Sequence, residues 1–335
     1  MSNTPRPRVL SGIQATGKLH IGNYIGAISL WAENQESYEN YLFVADLHAL
    51  TIPEAVKPTE LRARVEEIFA LYIACGIDPE RSTLFVQSEV PQHAQLGWLM
   101  TCVTPVSWLE RSTQIKTKTS AERSFGAGLL CYPSLQAADI LLYDPDAVPV
   151  GEDQRQHVEM TRDMARRFND LFGPTFKIPE ALMRKSGARI MGLDDPTAKM
   201  SKSTGEISPG HAIGLLDPPA KVKKAIMRAV TDSGSAVNFE DDLAPGVENL
   251  LTIYEVMTKT TRANSENEFA DSGYGKLKTA VAEAVNDRLE QLQDTHRQLM
   301  QDRSYLEKLL RQGSEQARAI AEPKLASAYK AVGLR

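Results

Sequence analysis

Apolar residues along the first two hundred positions come in two alternating rhythms. Short continuous runs at Arg8-Val9-Leu10, Tyr41-Leu42-Phe43-Val44-Ala45 and Thr83-Leu84-Phe85-Val86 have strand length and lack a polar face. That is the pattern of strands buried on both sides. Between the second and third runs, Leu61, Val65, Ile68, Phe69 and Tyr72 recur at helical spacing, with Thr59 placed to cap, and Pro91 suits the first turn of the helix after the third. Strand and helix in alternation predict a parallel sheet covered by helices, with ligands beyond the carboxyl ends of its strands. After about residue 205 the strand runs stop. Leu277, Val281, Val285, Leu289 and Leu292 mark a long amphipathic helix, and the tail from Tyr305 to Leu334 keeps helical spacing. The expected division is an α/β domain over residues 1–205, with a small insertion around 105–125, and an all-α domain over 206–335. The join falls in the Gly/Ser/Pro-containing stretch Ser203 to Gly214.

Composition narrows the class without naming it. The 335 residues are 42% apolar and 24% charged, as in an ordinary globular protein. No apolar run reaches the ~20 residues that span a bilayer, and MSNTPRPRVL lacks the apolar core of a secretory signal. A cytoplasmic protein with no membrane association is expected. Cys75, Cys102 and Cys131 lie far apart, with no C-x-x-C pair and no histidine at ligand spacing, so no protein-held metal or disulfide is expected. The net charge of −5 does not advertise nucleic-acid binding. An RNA partner would need a local basic surface, for which Lys221, Lys223, Lys224 and Arg228 are the candidate, though on charge alone a solvated helix face is the favoured reading of them.

Two constellations carry chemistry. Gly12-Ile13-Gln14-Ala15-Thr16-Gly17-Lys18-Leu19-His20-Ile21-Gly22-Asn23 joins the first strand to a helix starting near Ile21. A glycine-bearing turn feeding a helix N-terminus is an anion cradle, because free N–H groups and the helix dipole point at the ligand. It is not a P-loop, since Lys18 is followed by Leu19. The second is Lys199-Met200-Ser201-Lys202-Ser203, where two lysines three apart among hydroxyls suit a pyrophosphate. Either alone has a bland reading, as a structural turn or a basic loop. Together, His20-Ile21-Gly22-Asn23 and KMSKS resemble the two signature motifs of class I aminoacyl-tRNA synthetases. Asn23 in place of the usual final histidine is the form common in the tryptophan branch. Gly128-Leu129-Leu130, Tyr132-Pro133, Ala137-Ala138-Asp139-Ile140-Leu141-Leu142-Tyr143, Val148-Pro149-Val150-Gly151-Glu152-Asp153-Gln154, Gln156-His157 and Val230-Thr231-Asp232-Ser233 resemble that branch too, and the likeness runs from Val9 to Leu334.

The resemblance implies a Rossmann-like catalytic domain and a helical domain that reads the anticodon. It implies activation of L-tryptophan by ATP, with Mg²⁺ carried on the phosphates, then transfer to the terminal ribose of tRNA. Gln14, Ala15, Thr16, His20, Gly22, Asn23, Gly151, Glu152, Asp153, Ile190, Met200, Ser201 and Ser203 would lie along ATP, with Ile190 on a strand Gly187–Met191. Lys199, Lys202 and Lys118 would hold the leaving pyrophosphate. Asp139 would accept the indole N–H, with His48, Tyr132, Val150 and Gln154 completing the amino-acid pocket. As a helix, the stretch around Asp139 puts it on one face with Leu135, Leu142 and Tyr143. Gln136 stands where the resemblance leads one to expect an apolar wall residue. A homodimer is implied, and Val90 to Arg111, rich in Trp98, Leu99, Met100, Val106, Trp108 and Leu109, is the apolar stretch suited to its interface. Three rivals remain: a tyrosyl-tRNA synthetase, a small-molecule nucleotidyltransferase of the same superfamily, and a catalytically silent RNA-binding relative. Gly151–Gln154 with Asn23, the helical domain and the intact KMSKS stretch speak against them in turn.

Overall fold

The computed structural model describes residues 6–111, 126–150, 155–183, 189–201, 208, 210–232, 234, 236–237, 239 and 243–335, with backbone alone at 149–150 and 181–183. Five strands form one wholly parallel sheet: β1 (Arg8–Gln14), β2 (Glu39–Ala45), β3 (Ser82–Val86), β4 (Ala147–Val150) and β5 (Glu180–Met183). Their order is β3-β2-β1-β4-β5. The chain builds outward from β1 to β3, then crosses back to lay β4 on the other side of β1. Such a reversal opens a crevice beyond the carboxyl ends of β1 and β4. β1 and β2 pair in register from Arg8↔Glu39 to Gln14↔Ala45, so both deliver their next residues to the rim of that crevice.

The expected strands are present and longer than their runs: pairing carries β1 on through Ser11–Gln14, and starts β2 at Glu39 and β3 at Ser82. The first crossover runs from α1 (Ile21–Asn23) through a π turn, Tyr24–Ile28, into α2 (Ser29–Glu33). Ile21, Ile25 and Ile28 share its buried face. The second is α3 (Pro58–Ala74), which starts two residues earlier than a cap at Thr59 would place it. Lys57 is its N-cap and Pro58 its first residue, where a missing N–H costs nothing. On the opposite face lie α4 (Gln92–Val103), α5 (Val106–Leu109), α6 (Ala127–Leu141) and α7 (Arg155–Phe172). Leu96, Met100, Ala137, Leu141, Val158 and Phe168 fill that layer.

Beyond the sheet the regular elements are helical: α8 (Pro219–Met227), α9 (Pro245–Thr258), α10 (Arg262–Phe269), α11 (Tyr274–Gln301) and α12 (Arg303–Ala331). Leu277, Val281, Val285, Leu289 and Leu292 are the buried stripe of α11, at the spacing its sequence shows. The last helix does not stay among its neighbours. Ala317, Ala321, Leu325 and Ala328 of α12 join the sheet-side core beside Phe85 and Leu96. Gly313 lies so close to β3 that a methyl group there would meet the Leu84 carbonyl oxygen at 1.6 Å. Residues 206–335 thus pack on both sides of the expected join. No helix among the described residues is long and apolar enough to cross a membrane.

Candidate functional site

At the crevice rim β2 ends in Asp46, whose carboxylate accepts the N–H groups of Leu47 (3.0 Å) and Ser88 (2.9 Å). That ties the 3₁₀ turn Leu47–Thr51 to the end of β3. The turn aims His48 at α6. Gln14, the last residue of β1, donates from Nε2 to the His48 carbonyl at 2.6 Å, and the Thr51 hydroxyl donates to the same oxygen at 2.9 Å. The ends of three parallel strands are thereby bound to one histidine.

His48 leads to Asp139, a carboxylate on α6 that is 1% exposed. Oδ1 accepts from Gln87 Nε2 at 2.7 Å and meets His93 Nδ1 at 2.6 Å; Oδ2 meets His48 Nε2 at 2.8 Å. Gln87 follows β3 directly, and its own Oε1 takes the Leu47 N–H at 3.1 Å, which fixes the orientation of the amide. Burial by itself would raise the Asp139 pKa. The hydrogen bonds that His48 and His93 make to it, with the electrostatic pull of the two rings, overcome it and hold the carboxyl well below its usual range. A carboxylate has about four lone-pair sites, two on each oxygen. Among the described residues Oδ1 has two such partners and Oδ2 one, which leaves a lone-pair site on Oδ2. Tyr132, seven residues earlier on the same helix face, bonds through its hydroxyl to His157 Nε2 at 2.8 Å. Gln136 is half-buried between them in sequence. The arrangement is an acceptor-only group at the base of an apolar helix face.

The phosphate side is built around the first glycine turn. Gly12 is not part of it: it sits inside β1, where a Cβ would strike the Phe43 ring at 2.8 Å. Gly17, at φ +58°, makes the left-handed turn that the loop needs. Asn23 Oδ1 accepts the His20 N–H at 3.1 Å, closing the helix entry on itself. A strand-like contact clamps this entry to the chain beyond the second motif, with Ile21 N–H bonded to Ile213 O at 2.9 Å and Leu215 N–H to Leu19 O at 2.9 Å. The two signature motifs meet at Gly22, where an added Cβ would lie 2.9 Å from His20 Nδ1 and 3.5 Å from Met200 Cβ.

Ile190 and Met200, 2% exposed each, anchor the second motif in the core, while Lys199 points outward. Ile190 is not on a strand of the sheet. Its neighbour Met191 makes one antiparallel bridge to Lys199, and Asn249 of α9 brackets Met191 through both amide atoms, at 2.8 and 3.1 Å. His211, 1% exposed, spans Asp194 Oδ1 at 2.6 Å and the Lys199 carbonyl at 3.3 Å. Gly192 is obligatory there, since a Cβ would stand 2.2 Å from the His211 ring.

Of the residues singled out from sequence, the structure brings Gln14, His48 and Asp139 together, with Tyr132 two turns earlier on α6, and sets Gly22 against Met200. Lys118, Gly151, Glu152, Asp153, Gln154, Lys202 and Ser203 lie outside the described residues, as does the side chain of Val150. Val150 itself ends β4, beside the switch point. Lys221, Lys223 and Lys224 lie on the exposed side of α8 and Arg228 caps its C-terminus, with Lys221 paired to Asp217 at 2.8 Å. Along α4, Trp98 is 68% exposed while Leu96 and Met100 are buried. Gln87, His93, Asn249 and His211 went unnoticed in the sequence. Gln87 had a signal: a polar residue directly after the apolar run Leu84-Phe85-Val86.

Comparison with known proteins gives the family and the fold. The family profile described as tRNA synthetases class I (W and Y) matches residues 2–290. The tryptophan–tRNA ligase of Thermosynechococcus vestitus is 48% identical over 330 residues, covering 97% of this chain and 99% of its own. The crystal structure of tryptophanyl-tRNA synthetase from Mycoplasma pneumoniae superposes with a TM-score of 0.89 at 38% identity, covering 98% of each chain. That of the Campylobacter jejuni enzyme, complexed with ADP and tryptophan, gives 0.83 at 34% identity, covering 98% of this chain and all of that one.

Proposed function

This chain belongs to the class I tRNA synthetases of the tryptophan and tyrosine group, and from that premise we propose that it is a tryptophan–tRNA ligase. In the first step a carboxylate oxygen of L-tryptophan attacks the α-phosphorus of ATP, and the bond to pyrophosphate breaks. In the second, a hydroxyl of the terminal ribose of tRNA attacks the acyl carbon and releases AMP. The attacking carboxylate is already ionised at neutral pH, so the first step needs no general base. The chain contributes positioning and charge.

The observation that carries the substrate assignment is Asp139, buried and ionised, with one acceptor place left on Oδ2. An indole offers one N–H and no acceptor, and an acceptor-only group is its complement. Tyr132, His48, Val150 and Gln154 surround the rest of the amino acid. The turn Gln14–Thr16, the entry His20–Asn23 and the segment Gly151–Asp153 lie along ATP at the ends of β1 and β4, with Ile190 and Met200 toward the nucleoside. Lys199 and Lys202, with Ser201, Ser203 and Lys118, take the pyrophosphate. ATP enters as its magnesium complex. On the phosphate side the described donors are a lysine, hydroxyls and backbone N–H groups, a set that fits an ion borne by phosphates and water. When bound, that ion neutralises charge on the leaving group.

The helical region after residue 205 reads tRNA, and the outer side of α4 and α5, with Trp98 and Val106, is the face for a second copy. The substrates place the enzyme in the cytoplasm. Pyrophosphate exchange run with each of the twenty amino acids tests the assignment. Exchange with tryptophan alone is expected; exchange driven by tyrosine would move the chain to the other branch of the group.

A further inference from the structure

The Asp139 carboxylate is held by more protein than a ligand contact needs, and the excess has a direction. His93, in the first turn of α4, is fully buried and bonded at both nitrogens: Nδ1 lies 2.6 Å from Asp139 Oδ1, and Nε2 lies 2.8 Å from the Tyr143 hydroxyl. The rings of Phe43, Phe85 and Tyr143 stand 5.6–5.9 Å from the imidazole centre and wall it in. The proton positions then follow by elimination. Nδ1 faces an ionised carboxylate and must carry hydrogen, since a lone pair there would oppose a lone pair. Nε2 faces a phenol. If Nε2 also carried hydrogen, the buried Tyr143 proton would lose its acceptor, at the cost of an unmade buried hydrogen bond. The arrangement satisfying every group runs one way, from the Tyr143 O–H to His93 Nε2 and from His93 Nδ1–H to Asp139 Oδ1.

We infer that His93 and Tyr143 are positioning residues for tryptophan selection: with Gln87 they saturate Asp139 Oδ1, so that only the remaining lone pair of Oδ2 meets the substrate. This rests on the reading of Asp139 as the indole acceptor. Three donors from three separate segments define the plane of the carboxylate. His93 supplies the donor that sets its tilt, and Tyr143 holds His93 in the donating tautomer. Without them Gln87 and His48 alone hold the carboxylate, and its tilt about the last torsion is less tightly set. Neither residue touches the substrate.

Three variants in pyrophosphate exchange test this. Tyr143→Phe keeps the ring and removes only the hydroxyl. It is expected to raise KM for tryptophan about three- to tenfold, the worth of one hydrogen bond. The tryptophan-over-phenylalanine ratio of kcat/KM should fall by a similar factor, with KM for ATP and kcat moving less than about twofold. His93→Leu should lower the ratio further, and His93→Asn, which returns an amide N–H near the position of Nδ1, should restore most of it. Equal loss of ATP and tryptophan binding in Tyr143→Phe would mean general support of the fold and overturn the inference. So would an unchanged ratio in Tyr143→Phe and His93→Leu when Asp139→Asn abolishes it. A ratio unchanged even in Asp139→Asn would instead remove the reading of Asp139 on which this stands.

Discussion

Replacing Asp139 by asparagine separates its two duties, because the geometry dictates how the amide must sit. Two donors, Gln87 Nε2 and His93 Nδ1, converge on Oδ1, and among the described residues His48 Nε2 alone faces Oδ2. The amide oxygen therefore takes the place of Oδ1, leaving the NH₂ at Oδ2. His48 can answer by presenting Nε2 as an acceptor, so the fold loses charge-assisted strength while no donor is stranded. The stability cost should be about 1–2 kcal/mol, the difference between charged and neutral hydrogen bonds. The substrate fares worse. Its indole N–H now meets an N–H, a donor against a donor in a buried site, which should cost 10²-fold or more in kcat/KM for tryptophan. Asp139→Ala reverses the balance for the fold: three buried donors lose their acceptor at ~1–3 kcal/mol each before relaxation. Urea unfolding and pyrophosphate exchange with tryptophan and phenylalanine read the two effects side by side. If Asp139→Asn kept kcat/KM for tryptophan within about fivefold of wild type, Asp139 would hold the fold and not the indole.

Three further expectations come from other parts of the molecule. Lys199→Ala or Lys202→Ala should slow tryptophan activation by about 10²–10³ in single-turnover rate and leave tryptophan affinity in place, since charge on the pyrophosphate grows toward the transition state; near-normal rates in both would take the phosphate role from this segment. Gly313→Ala drives a methyl group into the Leu84 carbonyl, so it should destabilise by more than the ~1–3 kcal/mol of ordinary overpacking, and an unchanged urea midpoint would contradict the close approach of α12 to β3. Asp139 has its pKa lowered in the folded chain, so the unfolded chain binds the proton more readily and stability rises with pH in the window below the usual carboxylate value of about 4. That contribution is complete above this value and is lost as pH falls toward the folded pKa, so acid unfolding should be less steep in Asp139→Asn than in wild type.

How much of this was legible beforehand depends on whether a feature is local. Periodicity marked the three apolar strands, α3, α11 and the helical tail, because each signal is complete within one element and needs no partner. The glycine turn before Ile21 and the lysine pair around Met200 were legible as chemistry for the same reason: a few adjacent residues set both the loop and its charge. Asp139 was visible as a carboxylate on an apolar helix, in want of a reason. What holds it was not visible. His48, Gln87 and His93 lie 91, 52 and 46 residues away in the chain, and no spacing rule links a 3₁₀ turn, a strand end and a helix entry. The same holds for Gly22 against Met200, for His211 under the second motif, and for the return of α12 to β3. A hydrophobic stripe says that a face is buried, and is silent about which surface buries it. The sequence by itself determined the elements and the chemical groups at their ends. Only the tertiary structure decided which groups meet, because the order of parallel strands and the crossings between them are made of contacts distant along the chain, paid for in loop entropy and recorded in no local pattern.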